Sequence, residues 1–215
     1  MPFRLAMFDW NGTLLNDVSV AHSTTIHVFR QIAPLAEIPT LEEYREEFSA
    51  SQMMEYYYHR GVTRALTESE IYALWEARYE AVCDAAGLTD GALKLLTFFE
   101  QCGVPTVIIS AAPEGTVRHV KALGIENVIH TMRFHARNKE MAILEMLDYY
   151  RVHARDAFYV GDTADDIEQA KRTGVATFGF TGGYNSPERI LKAKPRYVIN
   201  SLDDVRMVAY AQNGS

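Results

Sequence analysis

The sequence predicts an α/β protein with a doubly wound parallel sheet, interrupted after its first strand by an inserted helical segment. Short, continuous apolar runs alternate with helical segments over most of the chain. Runs of strand length that end in turn residues are typical of strands buried on both faces of a parallel sheet. One long segment, 17–87, breaks the alternation, because it contains no run typical of a strand and its pattern predicts several helices.

Six runs are predicted to form the strands, and the third of them has the weakest strand pattern. In chain order they are 3–8, 105–109, 127–132, 157–160, 175–180 and 197–199. Helices are predicted between the strands at 91–102, 115–123 and 139–150. This alternation of strands and helices indicates a doubly wound α/β domain.

The inserted segment is predicted to be helical throughout. Its helices are expected at 20–32, 41–48, 52–60 and 68–86. The last one begins with a capping box, in which Thr67 and Glu70 satisfy backbone groups at the start of the helix. The predicted division is therefore 1–16 plus 88–215 for the α/β core and 17–87 for the insertion.

The composition and charge of the chain exclude several classes of protein. With 215 residues, 48% hydrophobic and 23% charged, the chain lies near the globular average, which excludes a disordered, collagen-like or coiled-coil protein. The formal net charge of −7 argues against a nucleic-acid partner, which requires a basic face. Two cysteines cannot build a disulfide framework, and the apolar run before Asp9 is too short for a signal peptide or a membrane span. We therefore expect a cytoplasmic protein with no membrane or nucleic-acid partner.

Chemically active residues stand where the predicted strands end. Asp9 follows the first strand and Ser110 the second. Asp162 and Asp166 follow the fourth strand, and Lys139 opens the helix before it. Because ligands bind at the carboxyl ends of the strands in an open parallel sheet, we expect these side chains to converge. Carboxylates bind Mg²⁺, whereas serine, lysine and backbone N–H groups bind phosphate, so the pattern predicts a site for both.

Four short motifs resemble those of the haloacid dehalogenase (HAD) superfamily. The run 8–14 resembles its first motif, Asp-x-Asp-Gly-Thr, and 108–110 resembles its second. Lys139 resembles the third motif and 159–167 the fourth, while 178–188 is similar to the phosphoglycolate phosphatase branch. Each motif alone is weak, but four in the family's order at strand ends are specific. The resemblance spans nearly the whole chain and implies a HAD-like Rossmannoid core.

The resemblance also implies a function. The segment 17–87 takes the position of the family's helical cap, which closes over the crevice and contacts the substrate. A member of this family is expected to be a Mg²⁺-dependent phosphoric monoester hydrolase that acts on a small phosphorylated metabolite through an aspartyl-phosphate intermediate. The protein is expected to be a monomer or homodimer. The cap cations that could contact an anionic substrate are His59, Arg60, Arg64 and Arg78.

The residues of the site follow from the same motifs. The implied catalytic residues are Asp9 as nucleophile, Asn11 in the position of the general acid, and Lys139 as a stabiliser of phosphate charge. The implied Mg²⁺ ligands are Asp9, Asn11 through its backbone carbonyl, Asp162 and Asp166. The implied phosphate ligands are Gly12, Thr13, Ser110, Ala111 and Lys139.

One position departs from the family pattern, because Asn11 stands where the family has a second aspartate. In the family that aspartate protonates the leaving oxygen and then activates the hydrolytic water. An amide does neither at neutral pH, and the loss of a general acid–base group costs roughly 10²- to 10⁴-fold in rate. Asparagine keeps the backbone carbonyl and the size, so Mg²⁺ and phosphate binding should survive.

The meaning of Asn11 stays open at the level of sequence. The substrate could carry a good leaving group, or the residue could have been changed by design to trap substrate. Alternatively, the chain could be a catalytically weak or inactive relative that binds Mg²⁺ and a phospho-ligand. Deamidation at Asn11-Gly12 would restore the acid. A phosphonate hydrolase would require a cap lysine for a Schiff base, and 17–87 contains no lysine.

Overall fold

The computed structural model describes residues 3–48, 53–62, 66–113 and 116–211. The chain divides into two compact units, Met1–Asn16 with Leu88–Ser215 and Asp17–Gly87. Within the described ranges, no helix is both long enough and apolar enough to cross a membrane.

The first unit contains a six-stranded parallel sheet. The strands of the chain are β1 (Leu5–Phe8), β2 (Leu15–Asn16), β3 (Gly87–Leu88), β4 (Thr106–Ile109), β5 (Thr131–Arg133), β6 (Ala157–Gly161), β7 (Ala176–Phe180) and β8 (Tyr197–Ile199). Six of them form the sheet in the order β5-β4-β1-β6-β7-β8, and neighbouring strands pair in parallel. The doubly wound parallel sheet predicted from the sequence is confirmed.

Strand β1 lies in the middle of the sheet, between β4 and β6. Phe8 is opposite Ile108 on one side and Val160 on the other. The carboxyl ends of these three strands therefore meet at one edge. The residues that follow them, among them Asp9 and Asp162, leave the sheet there.

The third predicted strand, 127–132, differs from the structure. A turn of 3₁₀ helix covers Glu126–Val128, and β5 begins only at Thr131. The hydroxyl of Thr106 donates to the carbonyl of Val128, so this carbonyl is bound by a side chain rather than by a strand ladder. The strand consequently starts later than the apolar pattern indicates.

Ten helices accompany the strands within the described residues. They are α1 (Val18–Ile32), α2 (Leu41–Glu47), α3 (Met53–His59), α4 (Glu68–Val82), α5 (Ala92–Gln101), α6 (Val117–Ala122), α7 (Lys139–Tyr150), α8 (Ala164–Thr173), α9 (Pro187–Ala193) and α10 (Leu202–Ala211). The first four belong to the helical unit, and the other six belong to the unit of the sheet. The predicted start of α6 includes Gly115, which lies outside the described residues.

The side chains of β1 alternate between two apolar layers, as the period of a strand requires. Leu5 and Met7 pack in one layer with Ile143 of α7. Phe8 packs in the other layer, where its ring centroid lies 5.7 Å from that of Phe158. Burial on both faces fixes the strand that carries the first motif.

The helical unit has a core of aromatic side chains. The ring centroids of Phe29 and Tyr57 are 4.8 Å apart, and those of Tyr44 and Phe48 are also 4.8 Å apart. The capping box predicted at the start of α4 is present, with the hydroxyl of Thr67 accepting from the N–H of Glu70. Helix α4 ends at Val82 rather than at residue 86, because Cys83–Ala85 forms a 3₁₀ turn.

Arg60 is bound within the helical unit. Its Nε and Nη2 donate to Glu47 at 2.9 and 2.6 Å, and its Nη1 lies 3.9 Å from Glu43. The side chain is only 10% exposed. Arg60 is therefore paired with two glutamates of its own unit, and its contact with an anionic substrate stays a prediction. Arg64 lies outside the described residues.

Candidate active site

Asp9 occupies the centre of the site because β1, the middle strand, ends directly before it. Its N–H donates to the carbonyl of Val160 at 2.9 Å, which extends the pairing with β6 by one residue. Its side chain is only 8% exposed. The carboxylate is therefore held in a buried position on a rigid strand end.

Three carboxylates converge at this point. Asp9, Asp162 and Asp166 each offer an oxygen, and these oxygens lie within 4.8 Å of one another. Asp162 directly follows β6, and Asp166 lies in the first turn of α8. All three residues are buried, at 6%, 0% and 2% exposure. The structure thus brings together the acids that the sequence pattern singled out.

Lys139 is the cation among these acids. It is the first residue of α7, and its Nζ lies 2.9 Å from Oδ1 of Asp9 and also donates to Oδ1 of Asp166. Burial alone lowers the pKa of Lys139. The charges of Asp166 and Asp9 outweigh this effect and raise that pKa well above its usual value. Lys139 is therefore a fixed positive charge next to Asp9.

Burial also disturbs the ionisation of the acids. Loss of solvation raises the pKa of Asp9 to about 7, although the charge of Lys139 opposes this rise. Loss of solvation raises the pKa of Asp162 well above its usual value, and the nearby charges of Asp9 and Asp166 raise it further. Lys139 contacts only Asp9 and Asp166, so the three carboxylates together would carry excess negative charge if all were ionised.

This donor set fits a hard divalent cation. Mg²⁺ prefers carboxylate and carbonyl oxygens, which are the groups present here. Its charge would favour the ionised forms that burial disfavours, and it would offset the excess of buried negative charge. Asp9, Asp162 and Asp166 are therefore a candidate magnesium site.

Asp162 is oriented by donors from two loops. Its Oδ1 accepts from the hydroxyl of Thr13 at 2.6 Å, and its Oδ2 accepts from the N–H of Tyr184 at 2.7 Å. Gly12 and Gly183 lie against the same carboxylate. A Cβ at either position would come within 2.3 Å of Asp162 Oδ2. Glycine is thus required on both sides of Asp162, and Gly12 also has a φ of +73°.

Two of the predicted phosphate ligands, Gly12 and Thr13, have hydrogen-bond partners within the protein. The N–H of Gly12 donates to Leu15 O at 2.9 Å, and that of Thr13 donates to Trp10 O at 3.3 Å. Since the hydroxyl of Thr13 is bound to Asp162, both residues direct their donors into the protein. In this structure Thr13 therefore orients Asp162 and Gly12 permits close packing against it, while their binding of phosphate stays a prediction.

Ser110 and Ala111, two further predicted phosphate ligands, directly follow β4. The N–H of Ser110 continues the ladder of β4 by donating to Arg133 O at 2.9 Å. Its Oγ accepts from Ala112 N–H at 3.2 Å, which leaves the O–H as a donor. Ala111 is exposed, whereas Ser110 is buried. This loop follows the strand next to β1 and can present donors to a phosphate near Asp9.

Asn11 lies in a tight loop between Asp9 and β2. It forms an isolated bridge with Leu15, and the side chain is half-buried. Deamidation would require the Gly12 nitrogen to attack the Asn11 amide, but Leu15 O holds the N–H of Gly12. The geometry of the loop therefore opposes deamidation.

Comparison with known proteins places this site in a family. Residues 6–180 match the haloacid dehalogenase-like hydrolases, a range that contains all four motifs. The chain belongs to this family. The prediction of a HAD hydrolase is thereby confirmed.

Relatives of this hydrolase carry related names. It is 27% identical to phosphoglycolate phosphatase 1 of Pseudomonas aeruginosa, over 94% of this chain and 78% of that protein. It is 37% identical over 65 residues to a phosphoglycolate phosphatase of Vibrio parahaemolyticus, which covers 30% of this chain and 28% of that protein. A haloacid dehalogenase-like protein of unknown function from Agrobacterium tumefaciens shares the fold, with a TM-score of 0.80 and 18% identity over 98% of this chain and 99% of that one.

Sequence reasoning missed several residues that support the site of this hydrolase. Asn185 Oδ1 accepts from Ala164 N–H at 2.9 Å, and its own N–H donates to Asp162 O at 3.2 Å. From the same loop after β7, the N–H of Tyr184 donates to the Asp162 carboxylate, and Gly183 packs closely against that carboxylate. The sequence carried one signal, since this loop lies in the run similar to phosphoglycolate phosphatases. A glycine pair alone, however, predicts only a turn.

Replacing Gly183 by alanine should displace Asp162. The new Cβ would lie 2.1 Å from Asp162 Oδ2, so the carboxylate must move away from its donors. Because residues that orient ligands typically contribute 10- to 100-fold to metal affinity, we expect a loss of about that size for Mg²⁺ measured by calorimetry. Gly87→Ala is the matched control, since no atom lies within 4 Å of its added Cβ. Equal affinities for the two variants would show that Asp162 does not bind the metal.

Proposed function

We propose that this hydrolase is a Mg²⁺-dependent phosphatase that acts on a small phosphorylated metabolite through an aspartyl-phosphate on Asp9. The observation that carries the proposal is the buried cluster of Asp9, Asp162, Asp166 and Lys139 at the end of the central strand. The names of the relatives support a substrate similar to phosphoglycolate.

The metal would be held by the three carboxylates and by the backbone carbonyl of Asn11. When bound, Mg²⁺ would neutralise the charge between an anionic nucleophile and an anionic phosphate, which otherwise repel each other. Asp162 is well suited to this role because Thr13 and Tyr184 fix both of its oxygens.

The first chemical step belongs to Asp9. One of its oxygens attacks phosphorus in line, the new O–P bond forms an acyl phosphate, and the bond to the leaving oxygen breaks. The ammonium of Lys139, the hydroxyl of Ser110 and the N–H of Ala111 would donate to the phosphate oxygens as charge develops. Water then attacks phosphorus, releases phosphate and restores Asp9.

Asn11 determines which leaving groups the substrate can carry. It neither protonates a leaving oxygen nor removes a proton from water at neutral pH. Both steps therefore rely on the intrinsic reactivity of the groups involved, which favours substrates with good leaving groups, such as acyl or aryl phosphates. The alternative function is a weak or inactive relative, or a form changed to trap substrate, that binds Mg²⁺ and a phospho-ligand; the same residue, Asn11, favours it.

The helical unit has a proposed role as a cap that excludes water and contacts the remainder of the substrate. The protein is proposed to act in the cytoplasm as a monomer or homodimer, with neither nucleic acid nor membrane as a partner. The net charge of −7 supports the absence of a nucleic-acid partner.

Removal of Mg²⁺ tests the proposal. We expect the chain to hydrolyse an aryl phosphate with Mg²⁺ and to lose turnover by about 10²-fold or more when a chelator removes the metal. The measurement is the release of the aryl alcohol, with phosphoglycolate assayed in parallel by phosphate release. Restoration by added Mg²⁺ and not by Na⁺ is the control. Turnover that persists unchanged in chelator would contradict a metal-dependent mechanism.

A further inference from the structure

Gln169 extends from α8 to the first turn of α7. Its Oε1 accepts from Lys139 N–H at 2.8 Å and from Glu140 N–H at 3.4 Å. These are the first two residues of α7, where N–H groups have no partner within the helix. The side-chain oxygen of Asn138, the residue before the helix, instead accepts a hydrogen bond from Met141 N–H at 3.0 Å. Gln169 is therefore a cap for α7 that comes from a different helix.

Three residues of α8 hold this turn of α7. Asp166, Gln169 and Arg172 follow one another at intervals of three, which places them along one side of the helix. Asp166 accepts from Lys139 Nζ, and Arg172 Nε donates to Glu140 at 2.5 Å. Lys139 is thus bound at both ends, with its backbone on Gln169 and its ammonium on Asp166.

Binding at both ends matters because a lysine ammonium sits on a flexible four-carbon stem. A fixed backbone limits the positions that the ammonium can reach, and here it lies 2.9 Å from Asp9. An amide oxygen also supplies an acceptor without adding a further negative charge near Asp9 and Asp166. The chemistry of glutamine therefore matches the position.

We infer that Gln169 is a positioning residue, which holds the backbone of Lys139 so that its ammonium lies against Asp9 and the phosphate. The inference rests on the proposed function, in which Lys139 stabilises charge on the phosphate. None of the four sequence motifs includes residue 169, since the fourth motif ends at residue 167.

Three variants test the inference. Gln169→Met keeps the length of the side chain and removes the acceptor, while Gln169→Glu keeps an oxygen acceptor. Arg172→Met is the matched control, because it breaks a different contact between α8 and the same turn of α7 and leaves Lys139 bound by Gln169 and Asp166. Each variant is assayed for kcat and KM on an aryl phosphate with Mg²⁺, and for thermal midpoint.

We expect Gln169→Met to lower kcat by about 10-fold with KM changed less than about 2-fold, since misplaced catalytic groups mainly reduce the rate of the chemical step. Gln169→Glu should recover only part of that loss, because it restores an oxygen acceptor but adds a negative charge near Asp9 and Asp166. Arg172→Met should lower the thermal midpoint to a similar extent and leave kcat within about 2-fold of the wild type. An unchanged kcat in Gln169→Met, or an equal loss in Arg172→Met, would overturn the inference.

A second measurement is independent of turnover. Hydrogen exchange of the Lys139 N–H, followed by NMR, should be faster in Gln169→Met than in the wild type or Arg172→Met. If the wild type shows no phosphatase activity, the proposed function fails, and the exchange rates alone then decide whether Gln169 holds Lys139. Unchanged exchange in Gln169→Met would overturn the inference in that case as well.

Discussion

Asp9→Asn is expected to reduce turnover by about 10⁴-fold or more, the size of effect seen when a catalytic nucleophile is removed. An amide oxygen does not form a stable ester with phosphorus, so no acyl phosphate can build up. The substitution fills the same volume and removes a buried charge, hence the fold should be retained. Aryl phosphate hydrolysis measures the loss of turnover, and thermal unfolding of the same preparation shows whether the fold is retained.

A matched control for this variant lies in the same chain. Asp165→Asn makes the same chemical change in the first turn of α8, one residue from Asp166 and outside the acidic cluster. We expect it to keep turnover within about 2-fold of the wild type, because it leaves the three clustered carboxylates unchanged. Should Asp9→Asn retain a few per cent of the wild-type rate, Asp9 is not the nucleophile.

Asn11→Asp is expected to raise steady-state turnover by about 10²- to 10⁴-fold, because it supplies a group that can donate and accept a proton. The gain should be larger for phosphoglycolate than for an aryl phosphate, since an alkyl oxygen is the poorer leaving group. Asparagine and aspartate have similar size, so the loop from Asp9 to β2 should keep its hydrogen bonds. The measurement compares kcat on the two substrates.

The control for Asn11→Asp is Asn127→Asp, which adds the same charge at an exposed position in a 3₁₀ turn. It should leave both rates unchanged. If Asn11→Asp raises kcat on neither substrate, the side chain at position 11 does not take part in proton transfer. The alternative function, a protein that binds Mg²⁺ and a phospho-ligand, would then be favoured.

Much of the fold could be predicted from the sequence because the strands are apolar on both faces. β8 matched its predicted bounds, and α7 began and ended as predicted. The start of β5 could not be predicted, since it depends on a hydroxyl of Thr106 that is distant in sequence from Val128. Local patterns carry no information on such a contact.

The candidate site shows the same limit. Asp9, Asp162 and Lys139 stand at strand or helix ends, where the topology alone brings them together. Thr13 and Gln169 act through hydrogen bonds to residues 149 and 30 positions away, and no spacing in the sequence indicates such partners. Roles that depend on tertiary contacts therefore required the structure.

The most direct test of the central claim is a rapid-mixing experiment with an aryl phosphate and Mg²⁺. Asp9 should react quickly with this good leaving group, whereas Asn11 leaves the second step without a base. We therefore predict a burst of aryl alcohol close to one equivalent per chain, followed by slow turnover, with a phosphoryl group on the Asp9 peptide after acid quench. Linear release from the first turnover, with no phosphorylated peptide at any quench time, would contradict the account.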